Sequence, residues 1–325
     1  MSIPQSLRKR INFQGEFDDI MIDVCREYIL GEYRSFEPIE MGYEDVNLKL
    51  TTEKGVFFVK IFAESRDDAQ CLRLINIVKT AIDSGVSHPK FLLKETGYIF
   101  RGRYENFNIR LAVFEFIEGK SFYDLKKLPT KEELKEIIKI AALINKIDYK
   151  PAPLYDSWAL VNFPEELEKS REHLSAKELK VLDRLKSDFE EIDIKALPHS
   201  LVHGDLISSN LMKSKEKIYC VDFSVANFYP RIVELAVIMS DLMFDPTDKI
   251  GVKKYFKLLV DEYSTYNKLT SEELKILPLF IQLAHAMHLL RATREKAEGN
   301  KTAENEHWLS LGKKGFKYST LAWSK

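Results

Sequence analysis

The chain is short of the groups that cross-link, export or embed a protein. Its 325 residues hold three cysteines, Cys25, Cys71 and Cys220. An odd, widely spaced set excludes a disulfide framework and supplies no C-x-x-C pair for zinc. No apolar run approaches the roughly 18 residues of a membrane-crossing helix; the longest stretches, such as 111–114 and 233–239, are short or interrupted. The opening MSIPQSLRKRINFQGEF lacks the apolar segment of a secretory signal. A cytoplasmic chain without a membrane partner is expected. Glycine (13) and proline (11) are too scarce for long low-complexity linkers. Excess charge is also missing: 49 Lys plus Arg against 50 Asp plus Glu leave a formal charge of −1. That excludes a basic surface over the whole molecule, so no nucleic-acid partner is expected, although a local basic cleft is compatible with a balanced total.

What is present can build a core: 45% apolar residues with 30% charged is the balance of a folded chain. At roughly 150 residues per domain the length suggests about two units. Apolar spacing predicts a helix over 17–30 and another over 67–84, stopped by Gly85. Between them, 45–51 and 56–63 alternate like strands joined by a turn at Lys54 and Gly55. Strand-like runs return at 97–101 and 108–116. Beyond Gly119 the chain reads as helical, with Thr130 and Glu133 in capping-box spacing and amphipathic stretches over 175–190 and 271–296. One β-rich island, 201–223, interrupts the helices. The expected domains are 1–118 and 119–325.

The island reads LVHGDLISSNLMKSKEKIYCVDFSVANF. Apolar runs 211–212 and 218–221 flank a charged turn, 213–217. His203, Gly204 and Asp205 precede the first run, Asn210 stands five residues past Asp205, and Asp222 follows the second run. A hairpin returns Asn210 and Asp222 to one edge, so two carboxylates and an amide meet at strand ends. An aspartate before a turn is ordinarily a cap. The ordered set is far more specific: one carboxylate to orient or deprotonate a hydroxyl, and a carboxylate plus an amide oxygen to offer hard ligands to Mg2+. That division of labour is phosphoryl transfer.

H-G-D-x-x-x-x-N followed by V-D-F resembles the aminoglycoside phosphotransferase and choline kinase family, with homoserine, hydroxylysine and methylthioribose kinases as relatives. The resemblance covers roughly residues 36–236. It implies an α+β, bilobal protein-kinase-like fold with a small β-rich N-lobe and a large helical C-lobe. It implies Asp205 as catalytic base, Asn210 and Asp222 as magnesium ligands, and His203 as a brace of the loop. Asp222-Phe223-Ser224 stands where protein kinases carry Asp-Phe-Gly, which favours the small-molecule branch. Residues 40–47, with Gly42 and Glu44, look like the family's nucleotide loop, though a single glycine is no G-x-G-x-x-G. Lys60 ends the apolar run 56–59. A lysine on a buried strand needs a partner, and VFFVKIF resembles the family's phosphate-binding strand.

Two departures from the family stand out. Kinase-like folds pair the strand lysine with a helix glutamate, but no Glu occurs between Glu64 and Glu95; Asp68 is the acid expected at Lys60. Glu234-Leu235-Ala236 stands where the family often has Asp-Leu-Ala. The joint 114–119 resembles the family's inter-lobe hinge, where main-chain groups of Glu115 and Ile117 would read an adenine edge.

Other features are read as structural. His285 and His288, three apart on one predicted helix with no acid nearby, are expected to pack or touch substrate, not to bind metal. Trp158, Phe228 and Tyr229 are candidates for lining a substrate cleft, although aromatic residues more often belong to the core. The lysine-rich runs are solvated faces. The expected function is an ATP- and Mg2+-dependent kinase acting on a hydroxyl of a small molecule such as an aminoglycoside, an amino alcohol or a sugar-like compound. The alternative is a catalytically silent kinase-fold binding or regulatory protein.

Overall fold

The computed structural model describes residues 3–39, 44–104, 106–215, 217–245 and 251–323. The chain divides into two compact units, residues 1–83 with 87–119, and residues 84–86 with 120–325.

The first unit opens with α1 (Gln5–Arg10) and α2 (Phe17–Glu27). Phe17, Ile20, Met21 and Val24 recur at helical spacing and are all buried, the pattern of a helix laid on a core. Asp18 and Asp19 sit in its first turn, where the helix dipole favours negative charge. The helix ends three residues before the predicted point because Ile29 turns left-handed at φ +57. The Leu30 N–H then donates to the Cys25 carbonyl at 2.8 Å, a Schellman-type closure.

The strands β1 (Tyr33–Ile39), β2 (Val46–Thr52) and β3 (Gly55–Ile61) follow, then α3 (Asp68–Asp83), β4 (Ile99–Tyr104) and β5 (Phe107–Glu115). They form an antiparallel sheet in the order β1-β2-β3-β5-β4 among the described residues. Along β2, Val46, Leu48, Leu50 and Thr52 are buried and alternate with half-buried residues, as one covered sheet face requires. Of these, Val46, Leu48 and Leu50 join Phe13, Phe17, Val59 and Leu111 in one core. The strand expected from 97 starts at 99: Gly97, at φ +112, trades backbone hydrogen bonds with Lys94 in a tight turn.

The second unit contains β6 (Lys120–Ser121), α4 (Phe122–Leu125), α5 (Lys131–Ile144), α6 (Phe163–Ser170), α7 (Ala176–Glu190), β7 (His199–Val202), β8 (Leu211–Ser214), β9 (Lys217–Cys220), β10 (Asn227–Pro230), α8 (Ile232–Asp241), α9 (Gly251–Ser264), α10 (Ser271–Ala297) and α11 (Ala303–Trp323). The predicted capping box forms at α5: the Glu133 N–H donates to Thr130 Oγ1 at 3.3 Å, and the Thr130 N–H donates to Glu133 Oε2 at 2.7 Å. The island folds as two small antiparallel ladders, β6-β8-β9 and β10-β7. Helix α8 is buried along its whole length and packs against α10, which also contacts α6 and α11.

Candidate active site

The second unit's site is built on the β8–β9 hairpin. Its register pairs Leu211 with Cys220 and Ser214 with Lys217. The ladder continues one step outward, where the Val221 N–H donates to the Asn210 carbonyl at 2.9 Å. Asn210 and Asp222 therefore leave the hairpin at its open end, where the sequence pattern placed them. Asp222 sits at φ +65, a region that residues other than Gly seldom enter and that Asp tolerates better than most. Its Oδ1 accepts the Ser224 N–H at 3.3 Å.

The loop before β8 is held from several sides. Gly204 takes φ +79, a turn glycine allows without strain. His203 is fully buried. Its Nδ1 accepts the Asp205 N–H at 3.2 Å, so its Nε2 carries the proton and donates to the Val221 carbonyl at 3.1 Å. Burial pushes the imidazole down to about 4, so the neutral ring that this pattern requires is the form present at neutral pH. One side chain thus ties the backbone of Asp205 to the residue preceding Asp222. Asn210 Nδ2 donates to Asp205 Oδ2 at 2.6 Å and to the Asp205 carbonyl at 3.0 Å.

The Glu-for-Asp departure at 234 acquires a physical meaning. Glu234, fully buried on α8, accepts the His203 N–H at 2.6 Å and the Gly204 N–H at 3.3 Å, one on each oxygen. Burial raises its carboxyl to about 8, and the two backbone donors oppose that rise. Asp241, seven residues and two helical turns further along α8, accepts the Ser208 N–H. Two acids on one face of α8 therefore clamp the loop at both ends. The i, i+7 spacing was visible in the sequence; the loop they serve was not.

Asp205 is half-buried. Burial lifts its carboxyl well above the ordinary range, the charges of Asp222, Asp156 and Asp241 lift it further, and the Asn210 hydrogen bond opposes them. Asp156, from the segment before α6, was missed in the sequence because nothing local marks it. Acids gathered around Asp205, with an amide oxygen and the Asp222 carboxylate at one hairpin end, suit a hard cation. Among the described residues no cluster of three or more His, Cys, Asp or Glu side chains makes a metal cage.

The first unit's charged group is built on the β2–β3 hairpin. Lys60 lies directly across from Asn47 and is 6% exposed. The sequence pointed to Asp68 as its acid, and the structure corrects this. Lys60 Nζ donates to Asp45 Oδ2 at 3.1 Å, while Asp68, 55% exposed at the start of α3, accepts from Arg101 Nε at 3.1 Å and Arg110 Nη1 at 3.2 Å. The reason is register. Asp45 stands two residues before Asn47 and so shares the face of Lys60, within diagonal reach across the strands. The two-residue turn at Glu53 and Lys54 sets this register, so the pairing was recoverable from sequence. Arg66 joins the group: its Nε donates to Asp45 Oδ1 at 3.0 Å, and its Nη2 donates to Glu44. Gly42 lies outside the described residues. At the end of β5 the Glu115 N–H donates to the Lys90 carbonyl at 2.9 Å. Ile117 is half-buried in the irregular segment after β5.

The residues read as structural have these surroundings. His285 is buried and its ring faces Phe244 at 4.8 Å, while His288 stacks on Trp308 at 5.2 Å. Of the aromatic trio, Trp158 meets His288 at 6.2 Å and carries Arg291 over its ring, Phe228 stacks on His199 and carries Lys150, and the Tyr229 hydroxyl accepts from Asn227 Nδ2 at 3.0 Å.

With this geometry in place, comparison with known proteins is informative. The model of the phosphotransferase enzyme family matches residues 35–263. A homoserine kinase of Parvibaculum lavamentivorans is 21% identical over 262 residues, 78% of this chain and 78% of that one. Among solved structures, a microcompartment-associated aminopropanol kinase superposes with a TM-score of 0.69 at 14% identity, covering 94% of this chain and 96% of its own. An amicoumacin kinase solved with AMP-PNP, Ca2+ and Ami gives 0.65 at 16%, covering 92% and 93%. The fold is that of the protein-kinase-like phosphotransferases, with a β-sheet N-terminal region and a helical C-terminal region.

Proposed function

Since the chain belongs to the phosphotransferase enzyme family, we propose that it is an ATP- and Mg2+-dependent kinase that moves the γ-phosphate of ATP to a hydroxyl of a small molecule. The observation that carries the reading is the Asn210–Asp205 hydrogen bond at the open hairpin end from which Asp222 also leaves. The named relatives, kinases of homoserine, aminopropanol and amicoumacin, favour an acceptor that bears an amine beside its hydroxyl. We divide the chain at residue 118 into a nucleotide-binding lobe and a catalytic lobe.

The roles follow from the chemistry of the groups. Asp205 Oδ2 is engaged by Asn210, so Oδ1 is the atom that orients the acceptor hydroxyl and receives its proton as the oxygen bonds to phosphorus. A carboxylate lifted above its usual range is a stronger base for that proton. Asp222 and the Asn210 side-chain oxygen would hold Mg2+, which supplies positive charge opposite the phosphate oxygens. His203, Glu234 and Asp241 hold the loop so that Asp205 need not reorganise during transfer. Lys60 is assigned to the phosphates, and Gly42 and Glu44 to the nucleotide loop. With the Glu115 N–H spent on Lys90, its adenine contact falls to its carbonyl, and Ile117 supplies the neighbouring main-chain group.

The test is ATP-dependent ADP release with homoserine, small amino alcohols, choline and aminoglycosides as acceptors. One class should stimulate release, and Asp205→Asn should lower it by a factor on the order of a thousand with unchanged thermal unfolding. Full turnover in that variant sinks the mechanism. ATP binding without consumption over the whole panel favours the silent binding protein.

A further inference from the structure

We propose that Asp45 is the positioning carboxylate of Lys60, so that the phosphate-directed lysine is set by its own hairpin and not by an acid on the following helix. The inference rests on the assignment of Lys60 to the nucleotide phosphates.

Four observations carry it. First, Asp45, Lys60 and Arg66 are 5%, 6% and 7% exposed. A buried ammonium without an anion is strongly disfavoured, and Asp45 lies 3.1 Å from it. Second, both carboxylate oxygens are used. Oδ2 accepts from Lys60, while Oδ1 accepts the Ala63 N–H at 2.9 Å and Arg66 Nε at 3.0 Å. The donors to Oδ1 come from the segment just after β3, so the carboxylate is oriented independently of Lys60. Third, the Asp45 carbonyl accepts from Arg10 Nη1 at 3.2 Å, which fixes the backbone at the entry to β2. Fourth, Asp45 is the residue immediately before β2, and the register of β2 against the strand of Lys60 is locked from the turn outward as far as Val46 opposite Ile61. Its place beside Lys60 is set by the end of that ladder and not by α3.

Arg66 gives the device a second property. Lys60 and Arg66 supply two positive charges, Asp45 and Glu44 two negative ones, so the quartet is neutral. When Lys60 turns toward phosphate oxygens, Arg66 and the Ala63 N–H still hold Asp45. The carboxylate is not stranded, and Lys60 can be shared between Asp45 and nucleotide. A helix-borne acid would make the lysine's position contingent on the helix; here it is built into the sheet.

The experiment is a double-mutant cycle on the full chain. It compares wild type, Asp45→Asn, Lys60→Met and the double variant by calorimetric titration with ATP and Mg2+ and by steady-state kinetics, with thermal unfolding as the check of fold. Asp45→Asn is expected to weaken ATP binding about tenfold, the scale of one charge-assisted hydrogen bond. The KM for ATP should rise in step, while the KM for the acceptor stays within about twofold. On top of Lys60→Met it should add no more than about twofold, because the carboxylate acts through the lysine. Wild-type ATP affinity in Asp45→Asn, or a loss that adds in full to that of Lys60→Met, overturns the proposal. If Asp45→Asn does not fold, Asp45→Glu replaces it: charge is kept but carried one methylene further, and the same non-additive loss is expected. If Lys60→Met leaves ATP affinity and turnover intact, the phosphate assignment has failed and the inference falls with it. A loss at Lys60 with none at Asp45 overturns the inference alone.

Discussion

The β2–β3 hairpin of the first unit and the β8–β9 hairpin of the second both deliver charged side chains to a strand end, but the first group is balanced in charge and the second is rich in acids. At the first, one carboxylate, Asp45, is shared by Lys60 and Arg66 and also takes a backbone N–H. At the second, burial lifts Asp205 most, three other carboxylates lift it further and one amide opposes them, and the net result is a proton affinity well above normal. A buried ion with its counter-charges in place is a finished structure. Acids crowded together at a half-buried hairpin end are an unfinished one, tolerable where a cation or a proton is to be received. The contrast separates a group that arranges from a group that reacts.

The largest expected break in this contrast comes from Asp222→Ala. It removes one acid from the crowded end and one proposed metal ligand. ATP-dependent turnover should fall by on the order of a thousandfold or more while the protein still unfolds cooperatively. A drop of less than about tenfold would mean that the hairpin end is not where the reaction is supported.

A smaller effect is expected from Glu234→Gln, which keeps the shape of the clamp but replaces one acceptor oxygen with an amide NH2 facing a backbone donor. A buried N–H that loses its acceptor costs about 1–3 kcal/mol, so unfolding should shift downward by that amount. Turnover should fall about tenfold through the displaced loop that carries Asp205. A variant as stable and active as wild type contradicts the clamp.

The two hairpins also mark what could be read from the chain. Local patterns sufficed for the strands and helices whose periodicity was strong and for the Thr130 capping box. The β8–β9 hairpin was legible because its apolar runs flank one charged turn, and that alone puts Asn210 and Asp222 at one end. The partner of Lys60 was sought on a helix by resemblance and was found one strand away. Counting back from the turn at Glu53 and Lys54 would have reached Asp45, so this miss was of register, not of information. Asp156 belongs to another kind. Its closeness to Asp205 depends on a segment nearly fifty residues away in sequence, and only tertiary packing brings it there. Glu234 lay between the two kinds: visible as a departure from a family pattern, but without meaning until its oxygens were seen on the His203 and Gly204 N–H groups.

The mildest test concerns an ionisable group that the second unit buries away from charge partners. His285 on α10 is 1% exposed, its Nδ1 makes no hydrogen bond, and burial pushes its imidazole down to about 3, with the nearby His288 adding to the shift. The ring is therefore neutral in the fold, while in the unfolded chain it titrates near 6.5. The sign follows: as pH falls below 6.5 the unfolded chain takes up a proton that the folded one refuses. The contribution of His285 is thus fully present above 6.5 and is lost progressively toward the folded value. His285→Gln removes that dependence. At pH 7.5 the variant should be less stable than wild type, because a side chain of another shape must fill a site already tight against Gly315. At pH 5, some 1.5 units below 6.5, the gap should narrow by about 2 kcal/mol. Urea unfolding of both proteins at the two pH values measures it, and taking the difference cancels the opposite pull of Glu234, whose carboxyl is raised in both. A gap that stays constant or widens in acid would show that His285 exchanges protons with solvent in the folded state, and would remove the second unit's clearest example of an ionisable group buried in its neutral form.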